Sequence, residues 1–204
     1  MSNNSELISH LIEKGRLKSP ELITAFQAID RKDFVAEDMA AWAYADNALS
    51  IGHKATISQP TTVAFMLEKL GARLGEKVLD IGAGSGWSTA LLAKIVGDQG
   101  KVYGVEIVPA LVAFGQYNLD KYKLPHATLV QAGPTLGLPD HAPFDRILVS
   151  AGTDAVPSTL LDQLAIGGTL VIPIEEAIWQ VKKISNEATK VNQYPGFMFV
   201  PLQG

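Results

Sequence analysis

Lys77-Val78-Leu79-Asp80-Ile81-Gly82-Ala83-Gly84-Ser85-Gly86 is the stretch on which the fold turns. Lys77 to Ile81 reads as a short buried strand, and three alternating glycines follow where it gives way to an apolar helix from Trp87 to Val96. Glycines at a strand–helix turn take positive φ and let the backbone approach a ligand, while a strand-end carboxylate accepts ligand donors. The plainer alternative is a tight packing turn with no ligand. Downstream the alternation continues. Val102 to Glu106 is the second strand, Pro109 to Lys121 the next helix, Ala127 to Val130 the third strand and Phe144 to Val149 the fourth. A helix from Pro157 to Leu164 ends at Gly167-Gly168, and Thr169 to Ile172 is the fifth strand. Such alternation predicts an α/β fold with right-handed crossovers and a parallel sheet covered on both faces. The tail differs: Ile178 to Ile184 and Phe197 to Val200 read as two strands with no helix between them, which predicts a closing antiparallel pair.

Upstream of the decisive stretch the pattern is helical. Leu7, Ile8, Leu11 and Ile12 fall at helical spacing, and Ser19-Pro20-Glu21 reads as a second helix start with serine as N-cap. Gly52 to Pro60 reads as a loop, followed by a helix with Val63, Met66, Leu67 and Leu70 on one face and Gly71 near its end. No repeat or linker divides the chain. One domain over 1–204 is predicted, with a helical N-terminal extension and loop over 1–60 and an α/β core over 61–204.

Composition narrows the functions. Of 204 residues, 47% are hydrophobic and 19% charged, the balance of a chain with a sizeable core. The net charge of −4 gives no overall pull toward nucleic acid or anionic lipid, and neither partner is expected. Without cysteine there are no disulfides, cysteine-ligated metals or thiol nucleophiles. His10, His53, His126 and His141 are scattered without ligand spacing, so no metal site is expected. No apolar run approaches the roughly 18 residues of a membrane span, and the polar Met1 to Glu6 lacks the marks of a secretory signal. A cytoplasmic location is expected.

Glu106 closes the second strand, where nucleoside-binding sheets place the acid that grips ribose hydroxyls. Its plainer reading is a solvated strand-end carboxylate. The dinucleotide fingerprint is G-x-G-x-x-G, whereas this turn reads Asp80-x-Gly82-x-Gly84-x-Gly86. That is similar to the D/E-x-G-x-G-x-G turn of S-adenosylmethionine-dependent methyltransferases.

At Thr56-Ile57-Ser58-Gln59-Pro60 the resemblance becomes specific, because this stretch resembles the T-I-S-Q/A-P motif of protein-L-isoaspartate O-methyltransferases. Arg31-Lys32-Asp33-Phe34-Val35 resembles the family's R-x-x-F-V, and Ala43-Tyr44-Ala45-Asp46 with Ala48-Leu49-Ser50-Ile51-Gly52 resembles its A-Y-x-D-x-A-L-P-I-G. Ala142 to Ile147 matches A-P-F-D-x-I, Gln163-Leu164 with Gly167-Gly168 matches Q-L-x-x-G-G, and Phe199 to Leu202 matches F-V-P-L. The resemblance implies a Rossmann-like S-adenosylmethionine-dependent methyltransferase sheet, mostly parallel with an antiparallel C-terminal strand pair and a helical N-terminal extension. It implies carboxyl O-methylation of L-isoaspartyl and D-aspartyl residues in damaged proteins by a monomer. By the same resemblance Ser58 is the catalytic residue, a hydroxyl donor to the acceptor carboxylate. Its plainer role is an N-cap for the helix starting near Pro60. Thr56, Ile57, Asp80, Gly82, Gly84, Ser85, Glu106, Ile107 and Gly133 are the implied cofactor contacts.

The chain departs from the family in three places. The family's G-D-G-T-x-G reads Ala132-Gly133-Pro134-Thr135-Leu136-Gly137, so Gly133 replaces the carboxylate beside the adenine and weaker cofactor binding is expected. Its I-G-x-G-Q-T reads Ile51-Gly52-His53-Lys54-Ala55-Thr56, so Lys54 replaces a permissive glycine and a different substrate-loop shape is expected. Ile107-Val108 follows the acid where arginine is common. Two alternatives stand beside the repair activity: a methyltransferase of this fold with another acceptor, and a cofactor-binding module without turnover. Trp42, Trp87 and Trp179 read as core or pocket wall, and Lys182-Lys183 as a solvated strand end.

Overall fold

The computed structural model describes residues 1–199, 201 and 202. Its N-terminal layer holds α1 (Asn4–Glu13) and α2 (Pro20–Ala28), then short 3-10 turns over Arg31–Phe34 and Glu37–Trp42. Ser19 occupies the predicted cap of α2, but its side chain makes no cap bond there. Glu68 accepts instead from the Lys18 and Ser19 amides and from the Ser19 hydroxyl.

The predicted loop over 52–60 is largely a hairpin. Strand β1 (Leu49–Gly52) pairs antiparallel with β2 (Ala55–Ile57), and helix α3 (Pro60–Leu70) follows, ending at left-handed Gly71. The hairpin tip turns on His53 and Lys54, with φ of 52° and 61°. Lys54 thus carries the backbone conformation that a glycine takes freely. The left-handed region costs a non-glycine residue about 1 kcal/mol or more. Lys54→Gly is therefore expected to raise stability by about 0.5–1 kcal/mol, read as a higher denaturation midpoint in urea.

The main sheet grows from β3 (Lys77–Ile81), followed by α4 (Trp87–Val96), β4 (Lys101–Glu106), α5 (Pro109–Lys121) and β5 (Ala127–Gln131). The chain then crosses to β6 (Phe144–Val149), α6 (Ser158–Gln163), β7 (Leu164–Ile174), β8 (Ala177–Lys183) and β9 (Thr189–Pro195). Strand order is β5-β4-β3-β6-β7-β8-β9, with β5 to β7 parallel and β8 and β9 added antiparallel. Successive strand residues face opposite layers. Val78 joins the core beneath the N-terminal helices and α4, whereas Leu79 and Ile81 join the core beneath α6.

Two strand boundaries differ from the sequence reading. Strand β7 starts at Leu164 rather than Thr169, because the Gly167-Gly168 segment is absorbed as a register slip opposite Phe144 and Arg146. The last strand is Thr189–Pro195 rather than Phe197 to Val200. It is a polar, largely exposed edge, so it lacks the apolar run that marks inner strands. Gly196, at φ 94°, turns the chain out of the sheet, and Phe197 stacks on Phe65 with ring centroids 5.0 Å apart. Val200 lies outside the described residues.

Trp42 is 62% exposed on its 3-10 turn, neither core nor pocket wall. Lys183 is buried, its ammonium donating to the Leu161 and Leu164 carbonyls.

Candidate active site

In a doubly wound sheet ligands bind beyond the carboxyl ends of strands where the strand order reverses. Here that place lies between β3 and β6, since the chain runs outward through β4 and β5 before returning beside β3. A cleft opens there. Thr56, Ile57 and Ser58 of the hairpin, Val63 and Met66 of α3, Gly82 to Ser85, Trp87, Ser88, Leu148 and Ser150 form its walls.

The glycine turn is built by close approach. Gly82, Gly84 and Gly86 have φ of 76°, 55° and 86°. A Cβ on Gly84 would lie 3.1 Å from Ile51 Cδ1, so the hairpin rests directly on the turn. A Cβ on Gly86 would meet the Gly115 backbone at 3.2–3.5 Å. Gly115 and Asn118 of α5 therefore belong to the same construction. The Asn118 amide donates to the Ser85 carbonyl at 3.0 Å. Sequence reading passed over both, since a glycine and an asparagine in a helix carry no periodic signal.

Asp80 is fully buried at the base of the turn. Its Oδ2 accepts from the hydroxyls of Ser88 and Thr89, both at 2.7 Å, while Oδ1 has no partner among the described residues. Burial pushes its pKa up to about 6; nearby Glu106 adds to the rise, and the two hydroxyl bonds oppose it. Glu106 is also buried, which rules out the solvated strand-end reading. Its Oε2 accepts from Gly84 N at 2.9 Å and its Oε1 from Val108 N at 3.0 Å. A carboxylate oxygen has two acceptor sites, so each retains one for a ligand hydroxyl.

Ile107, beside Glu106, is 42% exposed, an apolar face presented at the strand end. Gly133 is exposed and stands outside the cleft walls, with nothing within 4 Å of where a Cβ would sit.

Ser58 sits on the wall formed by the hairpin and α3. It is not the cap of α3: that position belongs to Gln59, whose side chain makes no cap bond. The turn is secured by Asp46, which accepts from the Thr61 amide at 2.9 Å and from its hydroxyl at 2.7 Å. Of the predicted site residues, Thr56, Ile57, Ser58, Gly82, Gly84 and Ser85 line one cleft, with Asp80 and Glu106 beneath its glycine turn. Trp87 takes its expected place as pocket wall, while Ser88 and Ser150 on the walls and Thr89 on Asp80 join the site without a sequence signal.

On the far side of the first turn of α3 a second, wider cavity of about 590 Å³ opens beside Gln59, Thr61, Thr62, Phe65, Tyr194 and Phe197. Ser58 lines the narrow cleft and the adjoining Gln59 lines the broad one.

Comparison with known proteins gives a consistent result. The family model described as protein-L-isoaspartate(D-aspartate) O-methyltransferase matches residues 2–204. A protein-L-isoaspartate O-methyltransferase of Methanopyrus kandleri is 40% identical over 203 residues, covering 97% of this chain and 90% of that one. One from Anaeromyxobacter dehalogenans is 45% identical over 175 residues, covering 85% and 82%. Among solved structures, a candidate protein-L-isoaspartate O-methyltransferase from Plasmodium falciparum in complex with S-adenosyl-L-homocysteine superposes with a TM-score of 0.89. It is 25% identical, and the match covers 100% of this chain and 99% of that one.

Proposed function

The chain belongs to the protein-L-isoaspartate(D-aspartate) O-methyltransferase family, and from that premise we propose that it methylates the free carboxylate of L-isoaspartyl and D-aspartyl residues in damaged proteins. The observation that carries this reading is the meeting of Ser58 with the glycine turn in one cleft, with Ser58 free of any capping duty.

The residues present fit S-adenosylmethionine. Asp80 offers a buried acceptor atom with no partner among the described residues, the glycine turn lets backbone approach, and Glu106 keeps acceptor sites on both oxygens. The nucleoside would be held by Glu106 with Ile107 against the base, and the ammonium of the amino-acid end by Asp80 and the turn. The bound cofactor supplies a methyl group made electrophilic by its positively charged sulfur. The acceptor carboxylate is already ionised at neutral pH, so the chain needs no general base. Its work is to orient the acceptor oxygen and exclude water. Ser58 donates its hydroxyl hydrogen to the acceptor carboxylate, while Trp87, Val63 and Met66 supply dry walls. The broad cavity beyond Gln59 leaves room for the polypeptide on either side of the modified residue. Within this proposal residues 1–60 carry the acceptor side and 61–204 the cofactor side of one domain. Monomeric action in the cytoplasm belongs to the same reading, tested by sedimentation mass and by cell fractionation.

Asp80 gives the cofactor site a pH signature. Unfolded, an aspartate titrates near ~3.9, whereas buried Asp80 holds its proton up to about pH 6. As pH rises through that window the unfolded chain loses its proton first. The cofactor-free fold is therefore favoured below pH ~4 and loses about 3 kcal/mol by the time Asp80 ionises. A cationic ligand requires the ionised form. Its dissociation constant is expected to rise toward about tenfold per unit as pH falls below 6, with a proton released on binding. Calorimetry of S-adenosylmethionine binding between pH 5 and 8, in buffers of different ionisation enthalpy, checks both; Asp80→Asn should flatten the profile.

The reading as a whole is tested by calorimetric titration with S-adenosylhomocysteine. Tighter binding of a nicotinamide dinucleotide would overturn it.

A further inference from the structure

We propose that Arg31 is a positioning residue for methyl transfer, its buried guanidinium setting Ser58 at the acceptor end of the cleft. The inference rests on the role given to Ser58 above. Arg31 has no exposed surface. One guanidinium nitrogen, Nη1, donates to the carbonyls of Ala43 and Ala45 at 2.6 and 3.2 Å, and Nη2 donates to those of Asn47 and Ser58 at 2.8 and 3.1 Å. None of these acceptors is a carboxylate. Burial pulls the Arg31 pKa down to about 10 while the nearby Asp46 charge supports it, so the group stays cationic at neutral pH.

Its central carbon lies 5.3 Å from the Trp87 ring centroid, and Trp87 and Ser58 both face the cleft. One planar fork therefore joins the segment before the hairpin, the residue after it and the first residue of α4. Fixing the Ser58 carbonyl fixes the peptide that aims its hydroxyl, and a misplacement of about 1 Å can cost a reaction of this kind about a hundredfold. A lysine has the charge but not the fork.

The test compares wild type, Arg31→Lys, Ser58→Ala and the double variant, using an isoaspartyl peptide. In Arg31→Lys, kcat per folded molecule should fall at least about tenfold while affinity for S-adenosylhomocysteine stays within about threefold. In the Ser58→Ala background the same change should cost less than about twofold, because its effect passes through Ser58. Equal losses in both backgrounds, or an unchanged kcat with only a lower melting temperature, would overturn the proposal. An unchanged kcat in Ser58→Ala alone would overturn the role of Ser58, and this inference with it. Should Arg31→Lys not fold, the wild-type protein decides by NMR of its arginine side chains. With S-adenosylhomocysteine bound, the isoaspartyl peptide should shift the Arg31 Nη signals and its aspartyl twin should not. Signals unmoved by either peptide would refute the coupling.

Discussion

Ser58→Ala is expected to lower turnover on an isoaspartyl peptide by about 10²-fold, the scale for losing one donor aimed at a reacting oxygen. The fold should be nearly unaffected. Gln59, not Ser58, occupies the cap of α3, and Asp46 holds the Thr61 amide, so no capping bond is lost. The substitution therefore separates chemistry from stability: kcat falls while the melting temperature stays put. Ser58→Asp sharpens the contrast. A second carboxylate at the acceptor position repels the first, so the variant should fold and bind S-adenosylhomocysteine yet transfer no methyl group. A folded, active Ser58→Asp enzyme would remove Ser58 from the site.

Glu106→Ala should weaken S-adenosylhomocysteine binding by about 1.5–3 kcal/mol, roughly 10- to 150-fold, the range for hydrogen bonds to a charged group. The buried carboxylate also ties Gly84 N and Val108 N together, so its removal loosens the turn as well. Glu106→Gln distinguishes the two contributions. An amide can still accept from one backbone N–H but presents its NH₂ to the other. It should keep part of the stability that the alanine variant loses, yet still bind the cofactor poorly because an acceptor for the ribose hydroxyls is gone. Cofactor affinity within about threefold of wild type in both variants, with stability lost, would leave Glu106 as a structural staple only.

Much of this arrangement was legible in the sequence where burial is two-sided. Strands β3 and β6 and helices α4 and α5 match the reading closely, because inner strands and the helices covering them need continuous or periodic apolar residues. The hairpin escaped notice because its strands are three and four residues long and its turn uses His53 and Lys54 where glycine or asparagine is the usual signal. Strand β9 escaped because an edge is protected by polarity rather than marked by apolarity. Arg31 lay inside a recognised stretch, yet a cation buried among carbonyl oxygens leaves no trace in composition or period. The same holds for Gly115, whose requirement comes from a turn distant in sequence. Asp80 and Glu106 were identified as acids at strand ends, but only the structure shows that both are buried and that one oxygen of Asp80 lacks a partner among the described residues.

The measurement that bears most directly on the proposed activity is methyl transfer from labelled S-adenosylmethionine to an isoaspartyl peptide and to its normal aspartyl twin. Label should enter the isoaspartyl peptide alone and be released by mild base, as a carboxyl ester requires. Transfer to neither peptide by a protein that binds the cofactor, or equal transfer to both, would contradict the account.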